Sequence, residues 1–220
     1  MTEGLPVKVV LLGETAVGKS CLISRFANDT FSTNHVATLA GYYSSKNVFY
    51  DKVNREIKYE IWDTAGQERY RAISKMFYQD TSVAILVLDI TRKDTFEAIK
   101  NYWYSELKNS ASEDIIIAIA ANKSDLYEYE EVSKSELEEY AQSINAIFKQ
   151  TSALNNTGIK ELFDNIGYKL LAPDNYQEYI KKTASRKQIK VKLSDNKVNK
   201  DQDNSPFKVS AKPNKKKECC

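Results

Sequence analysis

The apolar residues of this chain fall into short unbroken runs, separated by stretches with helical spacing. Val7-Lys8-Val9-Val10-Leu11-Leu12 is the first run, and Ser82-Val83-Ala84-Ile85-Leu86-Val87-Leu88 and Ile115-Ile116-Ile117-Ala118-Ile119-Ala120 share its character. Runs this short that are apolar on both faces predict interior strands of a parallel sheet. Gly41–Asp51 and Glu56–Trp62 read as extended segments joined by the turn-like Asp51-Lys52-Val53-Asn54. In the second of them Ile57, Tyr59 and Ile61 alternate with Lys58 and Glu60, the period of a half-buried strand. A short strand is expected at Ala146–Lys149. Helices are expected at Lys19–Ala27, from about Asp94 (stripe Phe96, Ile99, Trp103, Leu107), after the capping-box pattern Ser133-Lys134-Ser135-Glu136 (stripe Leu137, Tyr140, Ala141, Ile144), and from about Gly158 (stripe Ile159, Leu162, Phe163, Ile166, Leu170) to Pro173. Asn28–Ala40 reads as a polar loop. Strands alternating with helices predict an α/β fold, a mostly parallel six-stranded sheet with helices on both faces.

Composition changes the picture at one end. The chain has 220 residues, of which 32 are Lys or Arg and 30 Asp or Glu; 13 of the basic and 4 of the acidic residues fall in 181–220, which leaves 19 and 26 in the rest. An acidic body thus carries a basic tail. From Pro173 onward the chain is rich in Lys, Asn, Gln and Ser, with too little periodic apolar surface to offset ordering entropy. The expected division is a folded domain over 1–172 and a disordered basic tail over 173–220. Such a tail suits an anionic membrane face, at about 1 kcal/mol per basic residue near the surface. Nucleic acid is not expected as a partner, because only Phe207 interleaves the charges. Three cysteines and one histidine do not make a disulfide framework or a zinc site. The N-terminus does not read as a secretory signal, and no apolar run approaches the roughly 20 residues of a spanning helix. A reducing cytosol is the expected setting.

The chemistry sits in the segments after the strands. Gly13-Glu14-Thr15-Ala16-Val17-Gly18-Lys19-Ser20 has the form G-x-x-x-x-G-K-[ST], between a strand and the helix that Cys21 continues. Glycines let backbone N–H groups curl around an anion, and a helix N-terminus adds partial positive charge. Lys19 offers a point charge to β- and γ-phosphates, and the Ser20 hydroxyl a ligand to Mg²⁺. Asp63-Thr64-Ala65-Gly66-Gln67-Glu68 follows the next strand. There Asp63 can hold the same metal, Gly66 can bring its N–H to a γ-phosphate, and Gln67 can orient an attacking water. In Asn122-Lys123-Ser124-Asp125 the Asp125 carboxylate can accept from the paired N1–H and N2–H donors of guanine, an edge that adenine lacks. Asn122 can tie loops together, and the Lys123 stem can cover the base. In Thr151-Ser152-Ala153 the Ala153 N–H can donate to guanine O6. Cys21 itself reads as a small buried hydrophobe.

In order and content these motifs resemble the Ras superfamily of small GTPases over residues 6–172, with its P-loop G-domain fold. Trp62-Asp63-Thr64-Ala65-Gly66-Gln67-Glu68-Arg69-Tyr70 is similar to the Rab signature, Cys219-Cys220 to the Rab double-prenylation end, and the Glu14 and Ala16 of the first loop to endosomal Rabs. The resemblance implies a slowly hydrolysing GTP/GDP switch in vesicle traffic, a monomer with Mg²⁺ as cofactor. It works with an exchange factor, a GTPase-activating protein, effectors and a prenyl-binding escort. It also implies that Phe31 packs against guanine, that Thr38 meets Mg²⁺ and the γ-phosphate, and that Tyr43, Trp62 and Phe77 form an effector-facing trio. The Ser152-Ala153-Leu154 stretch would complete the base site.

Several positions depart from that pattern. Ala37, Leu39-Ala40-Gly41, Gln79-Asp80-Thr81 and Leu154 replace commoner residues, and Leu154 removes the lysine of the Ser-Ala-Lys loop. His35, where relatives often carry an aromatic, reads as an exposed loop residue. Thr15 puts a β-branched side chain where bulk crowds Gln67 in relatives, which implies slow turnover. Two other readings remain open at this point. A P-loop kinase of small molecules would need a lid-like arginine cluster that the sequence lacks. A binding-only pseudo-GTPase would need Thr15 or the altered loop to abolish hydrolysis.

Overall fold

The computed structural model describes residues 4–32, 42–63 and 80–185. The chain divides into one unit through Tyr176 and a second from Gln177. The first is built from β1 (Leu5–Leu12), α1 (Lys19–Asn28), β2 (Tyr42–Tyr50), β3 (Arg55–Asp63), β4 (Val83–Asp89), α2 (Lys93–Ala98), a π-helical turn (Ile99–Trp103), α3 (Tyr104–Ser110), β5 (Ile116–Asn122), a 3₁₀ segment (Ser124–Tyr129), α4 (Lys134–Ser143), β6 (Ile147–Gln150), α5 (Ile159–Leu171) and a 3₁₀ turn (Pro173–Asn175).

The six strands form one sheet in the order β2-β3-β1-β4-β5-β6. Only β2 and β3 pair antiparallel, through the turn at 51–54 where Asn54 takes φ 51°; the other four pairings are parallel. Helices cover both faces. On one, Leu22, Ile23 and Phe26 of α1 pack with Ile159, Leu162, Phe163 and Ile166 of α5 against Val9, Leu11, Ile57, Tyr59 and Ile85. On the other, Phe96, Ile99, Trp103 and Leu107 join Leu137 and Ala141 over Val10, Leu12, Leu86, Leu88 and Ile119. This alternation is why β4 is buried at every position, Val83 to Asp89.

The expected helix from Asp94 starts at Lys93 and is interrupted by the π turn, where Tyr104 N–H donates to Ile99 C=O. Ser133 caps α4 by accepting from Glu136 N–H at 3.3 Å, through an extended backbone. The tail reading is corrected for 173–185. Pro173 opens a 3₁₀ turn, a position that tolerates its missing N–H. Tyr176 packs against the core, with Lys169 Nζ 5.8 Å from its ring centre. In the second unit residues 177–185 are helical, with Glu178–Lys182 paired at 2.5 Å and Thr183 Oγ1 donating to Tyr179 C=O at 2.8 Å. The remainder of the tail, with Cys219 and Cys220, lies outside the described residues, as do Ala37, Thr38, His35, Gly66, Gln67 and Phe77.

The free end of the β2–β3 hairpin is locked to α5. Tyr50 and Tyr59 hydroxyls share a hydrogen bond of 2.6 Å, and both reach Phe163 C=O, at 2.9 and 3.2 Å. Gly167 leaves room for this: a Cβ there would run into the Tyr50 ring. Gly167→Ala is therefore expected to lower stability by about 1–3 kcal/mol, as overpacking does. A urea unfolding midpoint equal to that of the unsubstituted chain would contradict this packing.

Candidate functional site

Parallel strands bring their carboxyl ends to one rim of the sheet. Leu11 is level with Asp63 across β1–β3, and Asp89 with Asn122 across β4–β5. Ligands in such folds bind beyond this rim. Asp63 is thus the last residue of β3 rather than the first of a loop, and Asn122 the last of β5.

The loop Gly13–Ser20 arches from β1 to α1. Gly13 takes φ 144° and Gly18 φ 96°. A Cβ on Gly13 would strike Val87 C=O, and one on Gly18 the Asn122 amide. Helix α1 opens at Gly18 with no side-chain cap and no acidic residue in its first turn, so its N-terminal N–H groups and partial positive charge remain available to an anion. Lys19 folds back over the loop and donates to Gly13 C=O and Glu14 C=O, each at 2.9 Å. It is buried, and burial pulls its pKa down to about 8 against the attraction of Asp63 and Glu14. The Ser20 hydroxyl donates to the Asp63 carboxylate. Hydroxyl and carboxylate together are the hard-oxygen donor chemistry that Mg²⁺ takes, so these residues fit that ion; among the described residues no group of three His, Cys, Asp or Glu forms a metal cluster of its own. Cys21 faces the core, and burial raises its thiol pKa.

At the other end of the rim, Asn122 is 2% exposed. Its Nδ2 donates to Val17 C=O at 2.8 Å, and its Oδ1 accepts from the Thr151 hydroxyl at 3.3 Å. Ser124 N–H donates to Thr151 C=O at 3.0 Å, and Thr151 N–H to Ala121 C=O at 2.8 Å. Ser152 Oγ donates to the Asp125 carboxylate and accepts from Asn155 N–H at 3.0 Å. Lys123 stands in the left-handed region at φ 63° and pairs with the buried Asp89 at 2.6 Å, while Thr91 N–H and Oγ1 donate to the same carboxylate at 3.0 and 2.7 Å. Ala153 is buried, and among the described residues nothing accepts from its N–H. Leu154 is exposed.

Arg25 was not anticipated from the sequence. From α1 its Nε donates to Ala153 C=O at 3.0 Å and its Nη2 to Leu154 C=O at 3.2 Å, with the guanidinium 5.8 Å from the Phe31 ring centre. Phe31 is thereby set beside the 153–154 loop. Tyr43 and Trp62 meet edge to face at 5.3 Å on the outer side of β2–β3, with Lys8 Nζ 5.8 Å from the indole. No local pattern announces the Arg25 bonds to Ala153 and Leu154, whose partners are far apart in sequence.

A glycine-rich anion loop on an uncapped helix, a hydroxyl–carboxylate pair beside it and a second polar loop on the same rim define a nucleotide-binding α/β domain of the P-loop class. Comparison with known proteins narrows this. Residues 8–172 match the Ras family. The chain is 44% identical over 168 residues to Ras-related protein Rab-22A of Homo sapiens, covering 76% of this chain and 85% of that protein. It is 44% identical over 160 residues to Ras-related protein Rab-31 of Mus musculus (73% and 80%) and 43% identical over 171 residues to the putative ras-related protein Rab-5B of Dictyostelium discoideum (77% and 77%). The chain belongs to the Ras family, and within it to the Rab small GTPases, which hydrolyse GTP and act in membrane traffic. Members of this family use Mg²⁺ with their guanine nucleotide.

Asn122→Ala is expected to lower stability by about 1–3 kcal/mol, because it leaves the buried Val17 C=O without its donor. Chemical unfolding of the ligand-free protein checks this, and an unchanged midpoint would remove Asn122 as the link between the loops.

Proposed function

We propose that this chain is a GTP/GDP switch of vesicle traffic on the cytoplasmic face of an intracellular, endosomal-type membrane, and that it recruits effectors while GTP is bound. The observation that carries the reading is the Asn122 amide, which fixes the phosphate loop through Val17 and the base loop through Thr151 at once. One rigid strand end therefore sets the distance between the two sites.

At the phosphate end Lys19 turns from the Gly13 and Glu14 carbonyls to the β- and γ-phosphates. The loop and helix N–H groups hold the charge that develops in the transition state. Ser20, Asp63 and Thr38 would hold Mg²⁺, which supplies charge neutralisation at the phosphate oxygens. At the base end Asp125 exchanges the Ser152 hydroxyl for the N1–H and N2–H donors of guanine. Ala153 N–H donates to O6, and the Lys123 stem and Phe31 bound the ring. Gln67 orients water and Gly66 meets the γ-phosphate. A GTPase-activating protein adds what this chain lacks for fast turnover.

Contacts to the γ-phosphate hold Thr38 and the segment after Asp63 in the signalling state, and hydrolysis releases them. Tyr43, Trp62 and Phe77 face effectors, and an exchange factor restores GTP. Lipids on Cys219 and Cys220 with the basic tail hold the membrane, since two chains anchor stably where one does not. A prenyl-binding escort returns the GDP form to the cytosol. Among the described residues no helix is long and apolar enough to cross a membrane.

Guanine selectivity tests the reading. Asp125→Asn is expected to weaken GDP and GTP at least about a hundredfold, the scale on which an unpaired polar edge is rejected. Calorimetry in Mg²⁺ reads it, and equal affinity of the unsubstituted chain for ATP and GTP would overturn the assignment.

A further inference from the structure

A carboxylate inside a phosphate cradle is out of place electrostatically, yet residue 14 of the loop is glutamate. The structure accounts for its side chain. Glu14 Oε1 accepts from the indole Nε1–H of Trp103 at 3.1 Å, while the backbone carbonyl of the same residue faces Lys19 Nζ at 2.9 Å. Trp103 is 2% exposed and ends the π turn between α2 and α3. A buried indole N–H requires an acceptor, and a charged acceptor makes the stronger bond. The neighbouring residue is held on the same side: Thr15 C=O accepts from Arg92 Nη1 at 3.2 Å, and Arg92 Nη2 pairs with Asp94 at 2.6 Å. The loop is thus tied outward to the segment 92–103, away from α1. The contact of the Glu14 backbone carbonyl with Lys19 keeps residue 14 beside the cradle.

We propose that Trp103 is a positioning residue that holds the Glu14 carboxylate out of the phosphate cradle, so that the loop's own acid does not oppose the third phosphate of GTP. The inference rests on the guanine-nucleotide reading. Its charge logic is specific. Cutting the bond while keeping the charge leaves a mobile carboxylate beside a highly charged ligand, and the triphosphate loses more than the diphosphate. Removing the charge makes the indole dispensable.

Four variants separate this from a packing effect. Glu14→Asp keeps the charge but withdraws it by one methylene from the indole, and it leaves the core untouched. Trp103→Phe removes the donor and keeps an aromatic core residue. Glu14→Gln removes the charge and retains an acceptor for the indole. The fourth is the double variant Trp103→Phe/Glu14→Gln. The measurement is dissociation of fluorescent GDP and of a fluorescent non-hydrolysable GTP analogue from the full chain with Mg²⁺, by stopped flow at low and high salt. Glu14→Asp and Trp103→Phe are expected to release the GTP analogue roughly tenfold faster, the scale of one charge-assisted hydrogen bond. The effect on GDP is smaller, and salt narrows both. The double variant should release the GTP analogue more slowly than Trp103→Phe alone, and Glu14→Gln more slowly than Glu14→Asp.

Equal acceleration for GDP and the GTP analogue, or no rescue of Trp103→Phe by Glu14→Gln, reduces Trp103 to a packing residue and overturns the proposal. If Trp103→Phe does not fold, the Glu14→Asp and Glu14→Gln pair decides alone: equal loss in both overturns it. An unsubstituted chain that retains neither nucleotide overturns the guanine reading and takes this inference with it. A chain that holds both while the variants behave alike overturns the inference only.

Discussion

The Asn122 side chain is the joint on which the site's geometry depends. It is the last residue of an interior strand, buried between the Val17 carbonyl and the Thr151 hydroxyl. Its position dictates glycine at 18, because any Cβ there would occupy the space of the amide. A left-handed Gly18 in turn starts α1 without a side-chain cap, which leaves the helix N-terminus free for an anion. On the other side the amide holds Thr151, whose backbone binds both Ala121 and Ser124 and so sets Asp125 and Ser152 against one another. Two loops with different chemistries inherit one rigid reference from the sheet.

Three functional side chains at this rim donate within the protein. Lys19 donates to two carbonyls, Ser20 to Asp63, and Ser152 to Asp125. Buried polar groups are rarely left without partners; at this rim the Asp63 Oδ1 accepts no hydrogen bond among the described residues, and the Ala153 N–H donates none. At Lys19, Ser20 and Ser152 a ligand would exchange bonds rather than fill a vacancy. Affinity comes from the difference between old and new partners, so the charged ligand groups matter most. At Lys19 burial disfavours the charge, which the Gly13 and Glu14 carbonyls and the nearby Asp63 help to hold.

The periodicity of the sequence located all six strands of the sheet to within a few residues, because strands buried on both faces leave unmistakable apolar runs and the β3 alternation follows from one half-covered face. The loop motifs were legible for a different reason: each is a local spacing that follows a strand. Asp63 and Asn122 were displaced only from loop start to strand end. What escaped was long-range. The Glu14–Trp103 bond spans 89 residues and the Arg25–Ala153 bond 128, and neither leaves a mark on local pattern. The π turn escaped because Phe96, Ile99, Trp103 and Leu107 keep ordinary helical spacing through it. The helical start of the tail escaped because its polar composition outweighed the Glu178–Lys182 pair and the packing of Tyr176.

Arg25 also explains how the 153–154 loop keeps its shape with an exposed leucine at 154. The loop's course is set by its backbone rather than by the Leu154 side chain. That backbone is gripped from α1, through the carbonyls of Ala153 and Leu154 and by the Asn156 amide, which donates to Asp29 at 2.9 Å. A planar guanidinium forks two carbonyls in a way that a lysine ammonium does not. Among the described residues none accepts from the Ala153 N–H. The Leu154 side chain lies in solvent, while the backbone beside it is held by a residue of the helix that starts at the glycine-rich loop.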